Sequence, residues 1–243
     1  MSDANTTPPS WSGPGIIQNF IGLPESPKIS QETLETWFDE VYVPALVKTG
    51  VVQSAWRFRA ASPENGKQHM TIYKIPDLAQ VAAGKLTHIP RTSNMFPSRA
   101  PVDDFVDLDS RVFSLVQLYE TTKQPEDAAT TIINEAIESR PDGASELDAW
   151  YREEHNQYMS EQPGWQRTTR FSLVFQERND GKEPEGTSSL SIHEFGDGHG
   201  IGQDALPFEA TTDRSKRVAS EARVIDAAIY YKVKAFGKAS ENS

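Results

Sequence analysis

Two kinds of periodicity alternate along the chain. GIIQNFIGL (15–23), WRFRAA (56–61) and HMTIYKI (69–75) are strand-like, whereas ISQETLETWFDEVYVPALV (29–47) has helical spacing. PDLAQVAAGKL (76–86) predicts a second helix, with Asp77 as its cap and Gln80 three residues on. RVFSLVQLYE (111–120) then reads as a strand.

The same order recurs downstream. ATTIINEAI (129–137) is the least distinct strand, because its Ala, Asn and Glu would equally suit a helix. SELDAWYREEHNQYMSEQ follows as a helix with Ser145 as its candidate cap. After it come TRFSLVFQE, SLSIHEF (189–195), a helix within 206–222 and a strand from Arg223.

The halves also match residue by residue. Without a gap, Leu34-Glu35-Thr36-Trp37-Phe38-Asp39-Glu40 lies over Leu147-Asp148-Ala149-Trp150-Tyr151-Arg152-Glu153, and the register goes on to pair Gln53 with Gln166, Arg57 with Arg170 and Phe58 with Phe171. Each half therefore reads β-α-β-β-α-β, the split βαβ unit with both helices on one face of an antiparallel sheet. The boundaries expected are a first repeat over 15–123 and a second over 124–236, with mobile tails at 1–14 and 237–243, where the composition is too polar to offset ordering.

Trp37-Phe38-Asp39-Glu40-Val41-Tyr42-Val43-Pro44, Trp150-Tyr151-Arg152-Glu153-Glu154-His155 and the turn Pro163-Gly164-Trp165 carry a family likeness. Over about 15–236 the chain resembles the EthD-like branch of the dimeric α+β barrel superfamily, and its fungal two-copy members in particular. The resemblance implies an α+β fold in which two tandem ferredoxin-like repeats close one pseudo-dimeric barrel inside a single chain. It also leaves room for a homodimer of such chains. The motif histidine is present only as His155, with Tyr42 in its first-half place, and the motif proline only as Pro44. One asymmetric site, weighted to the second half, is therefore expected.

Composition narrows the chemistry. The 243 residues carry 24 Lys and Arg against 35 Asp and Glu, a net charge of −11, which disfavours nucleic acid and anionic membrane surfaces. With no cysteine, disulfides, thiol nucleophiles and cysteine-ligated metals are excluded. The first fifteen residues lack the basic and apolar regions of a signal peptide, so a cytoplasmic location is expected.

On a helical projection Leu147, Trp150, Tyr151 and Tyr158 share a stripe. Glu154 falls inside that stripe and His155 at its edge. A carboxyl desolvated there would rise toward useful acid–base values, and an imidazole beside it suits proton transfer. His193 lies on an alternating strand whose first-half counterpart holds Tyr73. The candidate catalytic set is thus His155, His193, Glu154, Tyr42 and Tyr73. Trp37, Phe38, Trp150, Tyr151, Tyr158, Phe171 and His88 are candidates to line a substrate pocket, although such stripes also serve as plain core.

His69 and His199 read as structural or solvated. The stretch Gly196-Asp197-Gly198-His199-Gly200-Ile201-Gly202 reads as a loop able to act as a lid, since it lacks the strand-to-helix context of a phosphate site. Arg214, Lys216, Arg217 and Arg223 read as a solvated face. No metal is expected, because His193 and Glu194 point to opposite faces of their strand. Haem would need a committed axial ligand, and either His155 or His193 could serve.

The reading is a cofactor-independent enzyme of secondary, polyketide-like metabolism that acts on an apolar or aromatic small molecule. Its chemistry would be cyclisation, isomerisation, dehydration or decarboxylation by His/Glu/Tyr acid–base catalysis. The alternatives are a cofactor-free oxygenase of phenols, a small-molecule carrier or stress protein without turnover, and a barrel that serves only in assembly.

Overall fold

The computed structural model describes residues 10–201 and 209–242. Most of the N-terminal tail and part of the 196–212 connection thus lie outside the described residues. So does the start of the helix expected within 206–222.

The first repeat contains β1 (Gly15–Gly22), α1 (Gln31–Trp37), α2 (Val43–Lys48), β2 (Ser54–Ala60), β3 (His69–Ile75), a single helical turn α3 (Ala79–Ala82) and β4 (Asp107–Tyr119). The second contains β5 (Thr131–Ser139), α4 (Ala144–Trp150), α5 (Asn156–Ser160), β6 (Trp165–Arg178), β7 (Ser189–Phe195), α6 (Asp213–Glu221) and β8 (Ala222–Gly237). Among the described residues these eight strands close a barrel in the order β1-β3-β2-β8-β5-β7-β6-β4, with antiparallel neighbours throughout. Two seams, β2 with β8 and β4 with β6, join the halves, so the pseudo-dimeric barrel forms within one chain.

Alternation along the strands separates an inner core from outer ones. Ile16 and Phe20 of β1 and Ile132 and Ala136 of β5 point into the barrel with Phe58, Phe113, Phe171 and Tyr230. Ile17 and Ile21 instead meet Leu34, Trp37 and Leu46 of the first helical layer, and Ile137 meets Leu147, Trp150 and Tyr151 of the second. Inside the barrel, Gln18 Nε2 donates to Asn134 Oδ1 at 2.6 Å, so two buried amides from equivalent strands meet across the interior.

Both long helices contain one π-helical turn at the motif, Phe38–Tyr42 in the first half and Tyr151–His155 in the second. Such a turn widens the helix by one residue and recurs at functional sites.

Several local expectations change. The second-half helix is capped at Gly143, and Ser145 lies inside it. The helix expected over 76–86 is one turn long, because Gly84 adopts a positive φ of 73° and hands the chain to i→i+3 turns. Of residues 129–137, ambiguous by composition, those from Thr131 onward belong to strand β5, which runs on to Ser139. The C-terminal segment expected to be a mobile tail forms a helical turn, Lys238–Asn242, with Ala239 fully buried. At the other end, Trp11 packs its ring 6.0 Å from that of Phe175, and Gly13 N donates to Asp77 Oδ1. Arg214 and Arg217 of α6 pair with Glu146 of α4, which makes part of the basic face a clamp between helices. Among the described residues no helix is long and apolar enough to cross a membrane.

Candidate functional site

The outward face of the second-half sheet carries three polar side chains under the helical layer. Glu135 of β5, Ser191 of β7 and His193 of β7 are between 0% and 1% exposed. The π-turn above them contributes Tyr151 and His155. Tyr151 donates its hydroxyl to Glu135 Oε1, and that same oxygen lies 3.7 Å from His155 Nε2 and 3.8 Å from His193 Nε2.

Each member is held by packing. The His155 ring stacks on Trp150 at 4.2 Å and meets His193 edge-on at 5.2 Å. His193 Nδ1 contacts Thr168 Oγ1 at 2.8 Å, and Trp165 Nε1 donates to that oxygen at 3.1 Å. If the hydroxyl then donates to Nδ1, the imidazole hydrogen sits on Nε2, facing Glu135. Arg170 covers the Tyr151 ring at 4.2 Å and donates to Asp148 and Gln117, both at 2.9 Å.

Charge follows from these neighbours. Burial raises the Glu135 carboxyl, but His155, His193 and the Tyr151 hydroxyl outweigh that and hold it below the usual range. Burial pushes His155 down to about 4, against the pull of Glu135. Tyr151 is pushed far up by burial and by the carboxylate beside it, so it stays a donor. Near neutral pH the cluster is therefore one carboxylate, one phenol and a neutral His155.

Of the residues singled out in sequence, the structure brings together His155, His193, Tyr151 and Trp150, with the exposed Tyr158 ring 6.5 Å from His155. Glu154 is not in the buried stripe: it is half-exposed and accepts a hydrogen bond from Thr212, the cap of α6. The π-helical turn over Tyr151–His155 advances less than 100° per residue, which brings His155 into the stripe and carries Glu154 to its edge, where reaching the helix cap costs less than desolvating a charge. The carboxylate beneath His155 is Glu135, which the sequence reading missed. Its signal was a Glu between Ile133 and Ile137 on the helix-facing side of β5.

The first half repeats the frame with other chemistry. Asn19 stands where Glu135 stands, since Asn19 pairs with Thr71 as Glu135 pairs with Ser191. Tyr42 stacks on Trp37 at 4.8 Å as His155 does on Trp150, with Phe38 edge-on to it, and its hydroxyl accepts from Arg91 at 3.4 Å. Tyr73 is buried, which raises its phenol. Phe171 points into the barrel, away from both clusters, and His88 is exposed on the turns after α3. His199 contacts Thr131 Oγ1 at 3.0 Å.

The ligand atoms of Glu135, His155 and His193 all lie within 4.8 Å of one another, so one small ion could bridge them. The pair weighed in sequence, His193 with Glu194, splits across the sheet as expected. Both imidazoles turn Nε2 toward Glu135, and an axial role to haem would require one of them to rotate away.

No protein-family model and no curated protein matches the chain. Solved structures do. A provisional monooxygenase of Fusobacterium nucleatum superimposes with a TM-score of 0.55 at 14% identity, covering 94% of this chain and 96% of that one. An anthrone oxidase-like protein superimposes at 0.54 with 10% identity, covering 93% of each. The fold is that of the dimeric α+β barrels. At such identities the likeness speaks for the architecture alone.

Proposed function

We propose that the chain is a small-molecule enzyme of acid–base type, within the EthD-like branch, and that Glu135, His155, His193 and Tyr151 form its centre. The observation that carries this reading is the convergence of two imidazoles and a phenol on one buried carboxylate. A structural role alone would be served by apolar side chains, as charged groups are rarely buried without function or compensation.

His155 is the base. It is the member of the four nearest solvent, at 7% exposure, and it is neutral where Glu135 is charged. It takes a proton from an enolisable C–H or a phenolic O–H, and the imidazolium so formed lies 3.7 Å from the Glu135 carboxylate, which stabilises it. Returning the proton to another atom of the substrate completes an isomerisation, a cyclisation or a dehydration. Because burial makes His155 a weak base, the site favours substrates already acidified by a neighbouring carbonyl or aromatic ring. Tyr151 and His193 act through Glu135, fixing where its charge lies.

The test is turnover of enolisable aromatic polyketide mimics by the wild type and by His155→Ala and Glu135→Gln. Loss of about 10²–10⁴ in kcat with binding retained supports the reading. Binding without turnover in the wild type overturns it in favour of a carrier.

Oxygenation of a phenol is the second reading, favoured by the anthrone oxidase-like name of one structural neighbour. It predicts oxygen uptake equal to product formed. Metal analysis on the same sample separates a cofactor-free route from one using an ion held by Glu135, His155 and His193.

A further inference from the structure

The two ends of the barrel differ. One end is closed by charge: Arg111, 1% exposed, pairs with Asp109 at 2.6 Å and Glu185 at 2.9 Å, and Lys67 joins Glu185 to Asp226. The other end opens into a cavity of about 290 Å³ inside the sheet, on the opposite face from the Glu135 cluster. That size suits a compact ligand, at the lower limit of ordinary ligand pockets.

Equivalent strands of both repeats supply four of its lining residues, Ile16, Ile72, Ile132 and Ile192. Trp56 and Phe171 add aromatic walls, and Leu118, 51% exposed, extends the apolar lining to the entrance. An exposed leucine at the lip of an apolar cavity is a surface that gains by being covered.

The rim is ionic, and its pairs are not equally complete. Lys74 holds Glu126 at 2.7 Å. Lys232 holds Asp127 at 2.8 Å, and Trp56 Nε1 also donates to that carboxylate. Arg167 is less well matched: its Nε lies 3.0 Å from Glu194 Oε2 but makes no aligned hydrogen bond, and its Nη2 donates to the carbonyl of Pro125. Glu194 faces Arg167 from β6, Lys74 from β3 and Glu126 from the β4–β5 connection. Burial raises its carboxyl to about 7, with Arg167 and Lys74 pulling the other way. A carboxyl so close to neutral is a weak partner for a guanidinium.

We propose that the open end of the barrel binds a compact apolar monocarboxylate, whose hydrocarbon or aryl body rests among the four isoleucines and whose carboxylate pairs with Arg167 in place of Glu194. A planar guanidinium takes a carboxylate in a two-bond fork, which the present Glu194 contact does not achieve. An anion bound there also favours the protonated form of Glu194, so binding is tighter at pH 6 than at pH 8.

Octanoate is the probe and octanol its uncharged match, titrated calorimetrically into the full chain at pH 6 and pH 8. Octanoate is expected to bind at least about tenfold tighter than octanol at pH 6, which corresponds to one charge-assisted pairing. Arg167→Met removes that advantage. Glu194→Gln holds the affinity at pH 8 at its pH 6 level. Leu118→Asp, at an exposed position where folding is not at risk, weakens octanoate more than octanol, whereas Thr169→Trp obstructs both. Equal binding of the two probes, indifference to Arg167→Met, or no binding of octanoate overturns the proposal. His155→Ala leaves octanoate binding intact; if it abolishes binding, the anion sits at the other cluster and the proposal fails while the acid–base reading stands.

Discussion

Tyr151→Phe tests the buried cluster with one atom. The hydroxyl of Tyr151 is fully buried and donates to a carboxylate that is 1% exposed, so water cannot replace it without rearrangement. Phenylalanine keeps the ring between Trp150 and Arg170 and deletes only the donor. A hydrogen bond to a charged group contributes about 1.5–3 kcal/mol. In a chain of this length that lowers Tm by about 3–12 °C. There is a second, electrostatic readout. Without the phenol, the charge on Glu135 is less spread and attracts a proton more strongly, so His155 should rise from about 4.

Thermal unfolding at pH 7 gives the first quantity, and an NMR titration of the imidazole C–H resonances gives the second. A cycle with Glu135→Gln should show a coupling of at least about 1 kcal/mol, since the phenol loses its special partner when the charge is gone. Unchanged Tm together with an unmoved His155 titration would refute the placement of charge at Glu135.

Three further outcomes follow from other parts of the molecule. His155 stays neutral in the fold down to about 4 but takes up a proton near 6.5 when unfolded, so acid favours unfolding: the penalty begins below about pH 6.5 and reaches about 3 kcal/mol by pH 4. Denaturant midpoints of the wild type should therefore fall more steeply over that range than those of His155→Gln. Arg111→Met takes from the buried Asp109 one of its two arginines at the closed barrel end, leaving Arg178 and Gln176, and should cost about 1.5–3 kcal/mol in urea unfolding. Gly164, in the Pro-Gly-Trp turn, has a φ of 74°, and a Cβ there would stand 2.7 Å from the backbone nitrogen of His199. Gly164→Ala should cost about 1–2 kcal/mol for the left-handed backbone alone, with more from that clash, read as a lower Tm.

Fold was legible because it is written in repetition. Trp37 over Trp150 and Arg57 over Arg170 fixed the register of the halves, and those pairs do equivalent work: each Arg ties its sheet to a helix carboxylate, Arg57 to Asp39 and Arg170 to Asp148. The site was half legible. His155 and His193 stood out as histidines where the other half has tyrosines. Glu135 did not, because the ungapped register that sets Trp37 over Trp150 sets Asn19 over Ile132: the connection from β1 to its helix is three residues longer than that from β5, so Asn19 and Glu135 share a place in the sheet but not a column in the sequence. A helical projection at 100° per residue also does not include the π-turn, which puts His155 rather than Glu154 in the stripe and leaves Glu154 to Thr212. Nor does the spacing of apolar residues announce that the barrel ends differ, since that depends on which charges meet across strands far apart in sequence.

The asymmetry of the two halves has a physical logic. Both π-turns place a ring flat on the preceding tryptophan, Tyr42 on Trp37 and His155 on Trp150, with interplanar angles of 24° in each. The frame that aims the side chain is therefore shared, and what differs is the residue aimed and the sheet group below it. In the first half a neutral Asn19 lies below, and aromatic packing continues outward through Phe96 and Phe105. In the second half a carboxylate lies below and a second imidazole stands alongside. A buried carboxylate needs donors, and Tyr151 is present where Phe38 could not donate. Changing Phe38 to Tyr, Asn19 to Glu, Tyr42 to His and Tyr73 to His as a set would supply each partner the other requires, whereas Asn19→Glu alone buries a charge beside two phenols and one phenyl. The single substitution should therefore destabilise the chain more than the quadruple one, and thermal unfolding of the two variants decides it: if the quadruple variant is the less stable, the cluster's members do not support one another as their geometry implies.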